Sequence, residues 1–184
     1  MRFMVLFAVL IGAVPALAAS RGGKTFADTV EVAGETLVLN GLGIREATVF
    51  NVDVYVAGLY VRTKSANARD LVAADEPKQI LLKFVRDVDL EDLADAFTEA
   101  FKKNKTKSKY AKELKKLNGW MTSMTDKDTL SLTYVPGTGT EVRTKGSKRG
   151  VIAGAGFASA LWSVWLGPNP PNSGLKAGML GKKG

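Results

Sequence analysis

The side chains that could do polar chemistry in this chain are few and unevenly placed. Its 184 residues include no histidine and no cysteine. That removes the imidazole general base, the thiolate nucleophile, the usual zinc ligands and any disulfide. Catalysis or binding must therefore draw on Arg, Lys, Tyr, Ser, Thr or carboxylates. Among these, Arg45 holds a distinctive position, two residues beyond Gly43 in "NGLGIREATVF". Glycines there supply unusual backbone angles or let another group approach closely. A guanidinium beside them offers a planar fork that keeps its charge. Such a fork grips a carboxylate at two points without reacting, or stabilises an oxyanion as it forms. Tyr55 in the next apolar run and Ser163 near the end add neutral hydroxyls. No cofactor or metal is expected. No helix opens after Gly137-x-Gly139, as a phosphate loop requires, and the glycines of "GVIAGAGF" lack the strand-to-helix order of a dinucleotide fingerprint.

The elements that must position these groups begin after a leader. "MRFMVLFAVLIGAVPALAAS" joins one early charge to an apolar run and an Ala16-Leu17-Ala18 ending, the pattern of a secretory signal peptide. The run is shorter than the roughly 20 apolar residues of a membrane-spanning helix. The expectation is a signal over 1–18, cleavage before Ala19, and a single periplasmic domain over 19–184. At 46% hydrophobic, that length can build a real core.

Alternation predicts a hairpin through "DTVEVAGETLVLN", turning at Ala33-Gly34-Glu35. Two more strands follow the glycine bend, Arg45 to Val49 and Val52 to Val61. Ser65 to Ala74 reads as a short helix capped by Ser65, and Lys78 to Val85 as a buried strand. Leu90, Leu93, Ala94, Phe97, Ala100 and Phe101 keep helical spacing after Asp89, and a second helix is expected from Ser108 to Met124. "TLSLTYVPGTGTEVRTKG" is a hairpin. "GVIAGAGFASALWSVWLG" passes from a brief strand into an apolar helix, and the tail reads as a loop, one short turn and a frayed end. The order predicts an α+β fold, an antiparallel sheet covered by helices on one face.

The net charge of +8 falls to +7 without Arg2, and the excess is concentrated in "KKNKTKSKYAKELKK". Tyr110 is the only aromatic in that run, so no row of stacking platforms for nucleic acid is present. The run fits a solvated helix face, with contact to an anionic membrane surface or a partner as the alternative.

Taken in order, the Gly41-x-Gly43-x-Arg45 bend, "VYVAGLYV", "LLKFVRDVDLEDLADAF" and the closing "FASALWSVWLG" resemble the chalcone isomerase family, most closely its exported bacterial branch. The resemblance runs from about Glu31 to Gly181. It implies an open-faced sandwich with a cleft between sheet and helices, in which the arginine after the bend, here Arg45, holds a substrate carbonyl or carboxylate. In catalytic members the helix after the strand carries Tyr, Lys and Asn; the matching positions here are Leu93, Ala96 and Ala100. Ser163 matches a catalytic hydroxyl, and Tyr55 falls near a polar position. Two readings follow. In the first, the protein is a non-catalytic binder of an amphiphilic, fatty-acid-like carboxylate, with Arg45, Tyr55 and Ser163 as polar contacts and Leu93, Ala96, Phe97, Ala100 and Phe157 as apolar wall. In the second, it is an intramolecular lyase closing a flavanone-like ring through Arg45 and Ser163. A third reading is an accessory protein working through its basic helical surface.

Overall fold

The computed structural model describes residues 18–47 and 52–182. The expected signal peptide, apart from Ala18, and the end of the strand read through Thr48 and Val49 lie outside them.

Two packing faces are written into the strands. In β5 (Val52–Val61), Tyr55, Ala57, Leu59 and Val61 join one apolar cluster, while Val56 and Tyr60 join another, as side chains alternating across a strand must. β3 (Thr29–Val32), β4 (Glu35–Ala47), β5, β6 (Lys78–Phe84), β7 (Thr129–Val135), β8 (Gly139–Thr144) and β9 (Ser147–Ile152) pair in chain order. Every pairing is antiparallel. The larger cluster lies under the helices α1 (Ala68–Ala73), α2 (Leu90–Lys103), α3 (Ala111–Asn118), α4 (Ala155–Leu166) and α5 (Ser173–Met179). The fold is α+β, with helices over one face of a seven-stranded antiparallel sheet. On the other face a small hairpin, β1 (Ala18–Arg21) and β2 (Lys24–Ala27), inserts Phe26 over Gly58. A Cβ on Gly58 would stand 2.7 Å from the Phe26 ring.

Several local expectations are corrected. The glycine "bend" lies inside one continuous strand, β4, interrupted by a bulge between Leu39 and Gly41. Neither Gly41 nor Gly43 has a positive φ. Their role is the close approach of α5: a Cβ on Gly43 would fall 2.1 Å from the Leu175 carbonyl oxygen, and one on Gly41 2.2 Å from that of Gly178. The tail read as a loop, one short turn and a frayed end thus contains a docked helix that buries Leu175 and Met179 completely. α1 is capped by Asn67 and not by Ser65. The Asn67 side chain accepts the Arg69 N–H at 3.1 Å, while Ser65 Oγ accepts that of Asn67 at 3.0 Å. α3 stops at Gly119. Met124, read as helical, instead exchanges two backbone hydrogen bonds with Val88, of 2.8 and 2.9 Å, and that pairing closes the loop entering α2.

Candidate functional site

Between the sheet and α2 lies a cleft of about 530 Å³, within the range of small-molecule sites. Its floor is the helix-facing side of β5 and β6, with Val54, Tyr55, Leu82 and Phe84. One wall is the inner face of α2, with Leu93, Ala96, Phe97 and Ala100, and another is the end of α4, with Val164 and Trp165. The amphipathic spacing of α2 explains its contribution: Leu93, Phe97, Ala100 and Phe101 are buried, so one stripe faces inward and the carboxylates and lysines stay outside. Ala96, at the edge of that stripe, is exposed at the mouth.

Arg45 enters from the end of β4. It pairs in register with Tyr55, next to a second irregularity between Arg45 and Glu46; irregularities of this kind re-aim side chains at sheet margins. Cross-strand partners share a face, so guanidinium and phenol line the same cleft. Arg45 is half-buried, and one Nη donates to the Glu46 carbonyl, leaving further N–H groups for a ligand. Tyr55 is 9% exposed. It packs edge-on against Phe84 at 5.8 Å, and its oxygen accepts the Trp165 indole N–H at 3.1 Å. That leaves the phenol its own proton to give. Burial pushes the phenol pKa up to about 12, against the opposing pull of the Trp165 hydrogen bond and the Arg45 charge. At neutral pH Tyr55 is therefore a neutral donor beside a permanent cation. Together they can cradle a carboxylate or an oxyanion.

Of the residues picked out in the sequence, Arg45, Tyr55, Leu93, Ala96, Phe97 and Ala100 come together around this cleft, and Phe157 and Ser163 do not. Phe157 is buried between Phe101, stacked at 5.9 Å, and Tyr110, edge-on at 6.0 Å. The Ser163 hydroxyl donates back to the Ser159 carbonyl at 2.8 Å, as serines inside helices do. α4 turns Val164 and Trp165 to the cleft instead. The sequence holds two candidates three residues apart, Trp162 and Trp165, and only the packing of α4 chooses between them; Trp165 also meets Phe97 edge-on at 6.0 Å. The rim adds Arg86, Asp87, Asp92, Glu99 and Lys103, and the Asn169-Pro170-Pro171 strap. Asn169 fastens that strap to α2 through the Lys103 carbonyl at 3.0 Å, and Asn172 fastens it to β4 through the Ile44 carbonyl at 3.1 Å. Among the described residues no cluster of three or more acidic side chains could hold a metal ion.

Comparison with family models matches residues 18–181 to the model described as chalcone isomerase-like. The chain belongs to the chalcone isomerase-like family. No curated protein sequence matches this family member. Among solved structures, the crystal structure of an Arabidopsis thaliana fatty-acid binding protein superposes on it with a TM-score of 0.73, at 19% identity, over 89% of this chain and 96% of that one. At that identity the likeness shows that the two chains share a fold.

Proposed function

We propose that this protein is a non-catalytic binder of a small amphiphilic carboxylate of the fatty-acid type. The carboxylate lies on Arg45 and Tyr55, and the hydrocarbon runs along Leu93, Phe97, Ala100 and Trp165. The observation that carries this reading is the division of the cleft: an anion cradle on β4 and β5, facing a helix whose inward stripe bears no donor or acceptor side chain. A ring-closing lyase needs groups that hold the substrate's hydroxyls and carbonyl together in the transition state, and the α2 stripe has none. The solved fatty-acid binding protein of the same fold supports the ligand class. The leader supports export to the periplasm, where the mature chain begins at Ala19. N-terminal sequencing of the exported form checks that start, and a retained Met1 would refute it.

Calorimetric titration of a long-chain fatty acid into the wild type, Arg45→Ala and Arg45→Lys tests the site. A hydrogen bond to a charged group contributes about 1.5–3 kcal/mol, so Arg45→Ala should weaken binding by about tenfold to more than a hundredfold. Arg45→Lys should recover part of the loss, because an ammonium keeps the charge without the planar fork. Unchanged affinity in Arg45→Ala would remove Arg45 from the site.

A further inference from the structure

The basic run that the binding function leaves unused starts at the rim of the cleft. Residues 102–116 hold eight lysines, no arginine and one acid, Glu113. Lys103 belongs to both features: its side chain lines the cleft, and its carbonyl holds the Asn169 amide beside Pro170 and Pro171. From there the run leaves the end of α2, crosses the connection and continues along α3. There Lys112, Lys115 and Lys116 lie outward while Leu114 and Leu117 are buried. Lys102 reaches Glu99 at 3.7 Å, and Lys116 donates to the Val151 carbonyl. The side-chain ammonium groups of Lys103, Lys105, Lys107, Lys112 and Lys115 have no ion-pair or hydrogen-bond partner among the described residues.

We infer that this lysine surface docks the protein on an anionic phospholipid bilayer, with the cleft mouth beside the membrane so that ligand passes between the two. The inference rests on the ligand class proposed above, because an amphiphilic acid partitions into bilayers. Three observations favour a bilayer over other polyanions. The basic residues are all lysine, a compact and strongly hydrated point charge suited to a diffuse charged surface. Recognition of individual phosphates or carboxylates favours the arginine fork instead. Nucleic acid would need exposed stacking aromatics, whereas Tyr110 is half-buried against Phe157. Finally, the charge sits at the entrance to an apolar cleft, where a membrane-borne ligand would have to arrive. Clusters of about four to eight basic residues bind anionic leaflets, each residue contributing about fivefold in affinity. Surface attraction of this kind falls as salt shortens the screening length.

Vesicle co-sedimentation of the mature chain tests the inference, using phosphatidylcholine vesicles with and without an equimolar share of phosphatidylglycerol. The probe variant is Lys107→Gln/Lys112→Gln/Lys115→Gln, three exposed positions outside the cleft. The wild type should sediment with the anionic vesicles only and release them at high salt. The triple variant should bind them about a hundredfold more weakly while retaining fatty-acid affinity in detergent-free buffer. Transfer of a fluorescent fatty acid from the anionic vesicles should slow in parallel. Equal binding to both vesicle types, binding to neither, or a triple variant that sediments like the parent would overturn docking. Capture of an acidic protein through the same lysines without vesicle binding would also overturn it. Vesicle binding by a chain that takes up no fatty acid would instead leave docking in place and refute the ligand proposal.

Discussion

Replacing Tyr55 by Phe probes the joint between the core and the cleft. The ring keeps its packing against Phe84, so the apolar contribution is almost unchanged, but the indole N–H of Trp165 loses its acceptor. Trp165 is 1% exposed, and no other hydrogen bond from its N–H is present among the described residues. An orphaned buried donor costs about 1–3 kcal/mol. For a domain of this size each kcal/mol lowers the melting temperature by about 2–4 °C, so Tyr55→Phe should melt several degrees early. Trp165→Phe should cost more, since it also leaves a cavity, and large-to-small core changes involving aromatics cost up to about 3–5 kcal/mol. The double variant Tyr55→Phe/Trp165→Phe should then lose less than the sum of the two, because the unpaired donor created by the first change is gone. Differential scanning calorimetry of the four proteins gives this coupling directly. A Tyr55→Phe protein as stable as the wild type, or strict additivity, would refute the assignment of the phenol as the acceptor for Trp165.

Three further outcomes are expected. Gly43→Ala should destabilise by more than the usual 1–3 kcal/mol of overpacking, because the new methyl meets backbone of α5; urea denaturation measures this, and a neutral effect would mean α5 is not docked on β4. Tyr55, Tyr60 and Tyr134 each have a pKa raised by burial from 10 to about 12. The folded chain therefore holds these protons longer than the unfolded one, and the stability they contribute is complete below about pH 10 and lost as pH rises through about 12. Stability measured across that window should fall, with tyrosinate absorbance appearing together with unfolding; a flat profile would contradict the burial. With a chalcone substrate, the purified protein should cyclise no faster than the spontaneous reaction in stopped-flow absorbance. An acceleration of several orders of magnitude, lost in Arg45→Ala, would show that the arginine suffices for catalysis.

How much of this was legible in the sequence depended on whether a pattern was local. The α2 stripe carries its burial in its own period and formed as read at Leu93, Phe97, Ala100 and Phe101, whereas Leu90, in the first turn, is 41% exposed. The Ala33-Gly34 turn also formed as read, with both residues at positive φ. α5 was not legible, because a seven-residue stretch with two internal glycines has little helical preference of its own. It exists because Gly41 and Gly43, some 130 residues earlier, leave its backbone room to settle on β4. The same distant contact explains why the glycines of the supposed bend sit inside one continuous, bulged strand. In the site, Arg45 and Tyr55 could be named individually, but their pairing required the β4–β5 register. Ser163 lies off the cleft lining for a reason of helix geometry: its hydroxyl finds a carbonyl one turn back, while its neighbours Val164 and Trp165 take the cleft-facing positions.

The central claim is that the cleft binds an amphiphile through its carboxylate. Calorimetric titration of the wild type with a fatty acid and with its methyl ester isolates that contribution, since the two ligands share a hydrocarbon chain and differ in charge. The account predicts that the acid binds at least about tenfold more tightly than the ester, the least expected from one hydrogen bond between charged groups. Equal affinity for acid and ester would contradict it, returning Arg45 to a solvated strand-end charge and the cleft to a purely apolar role.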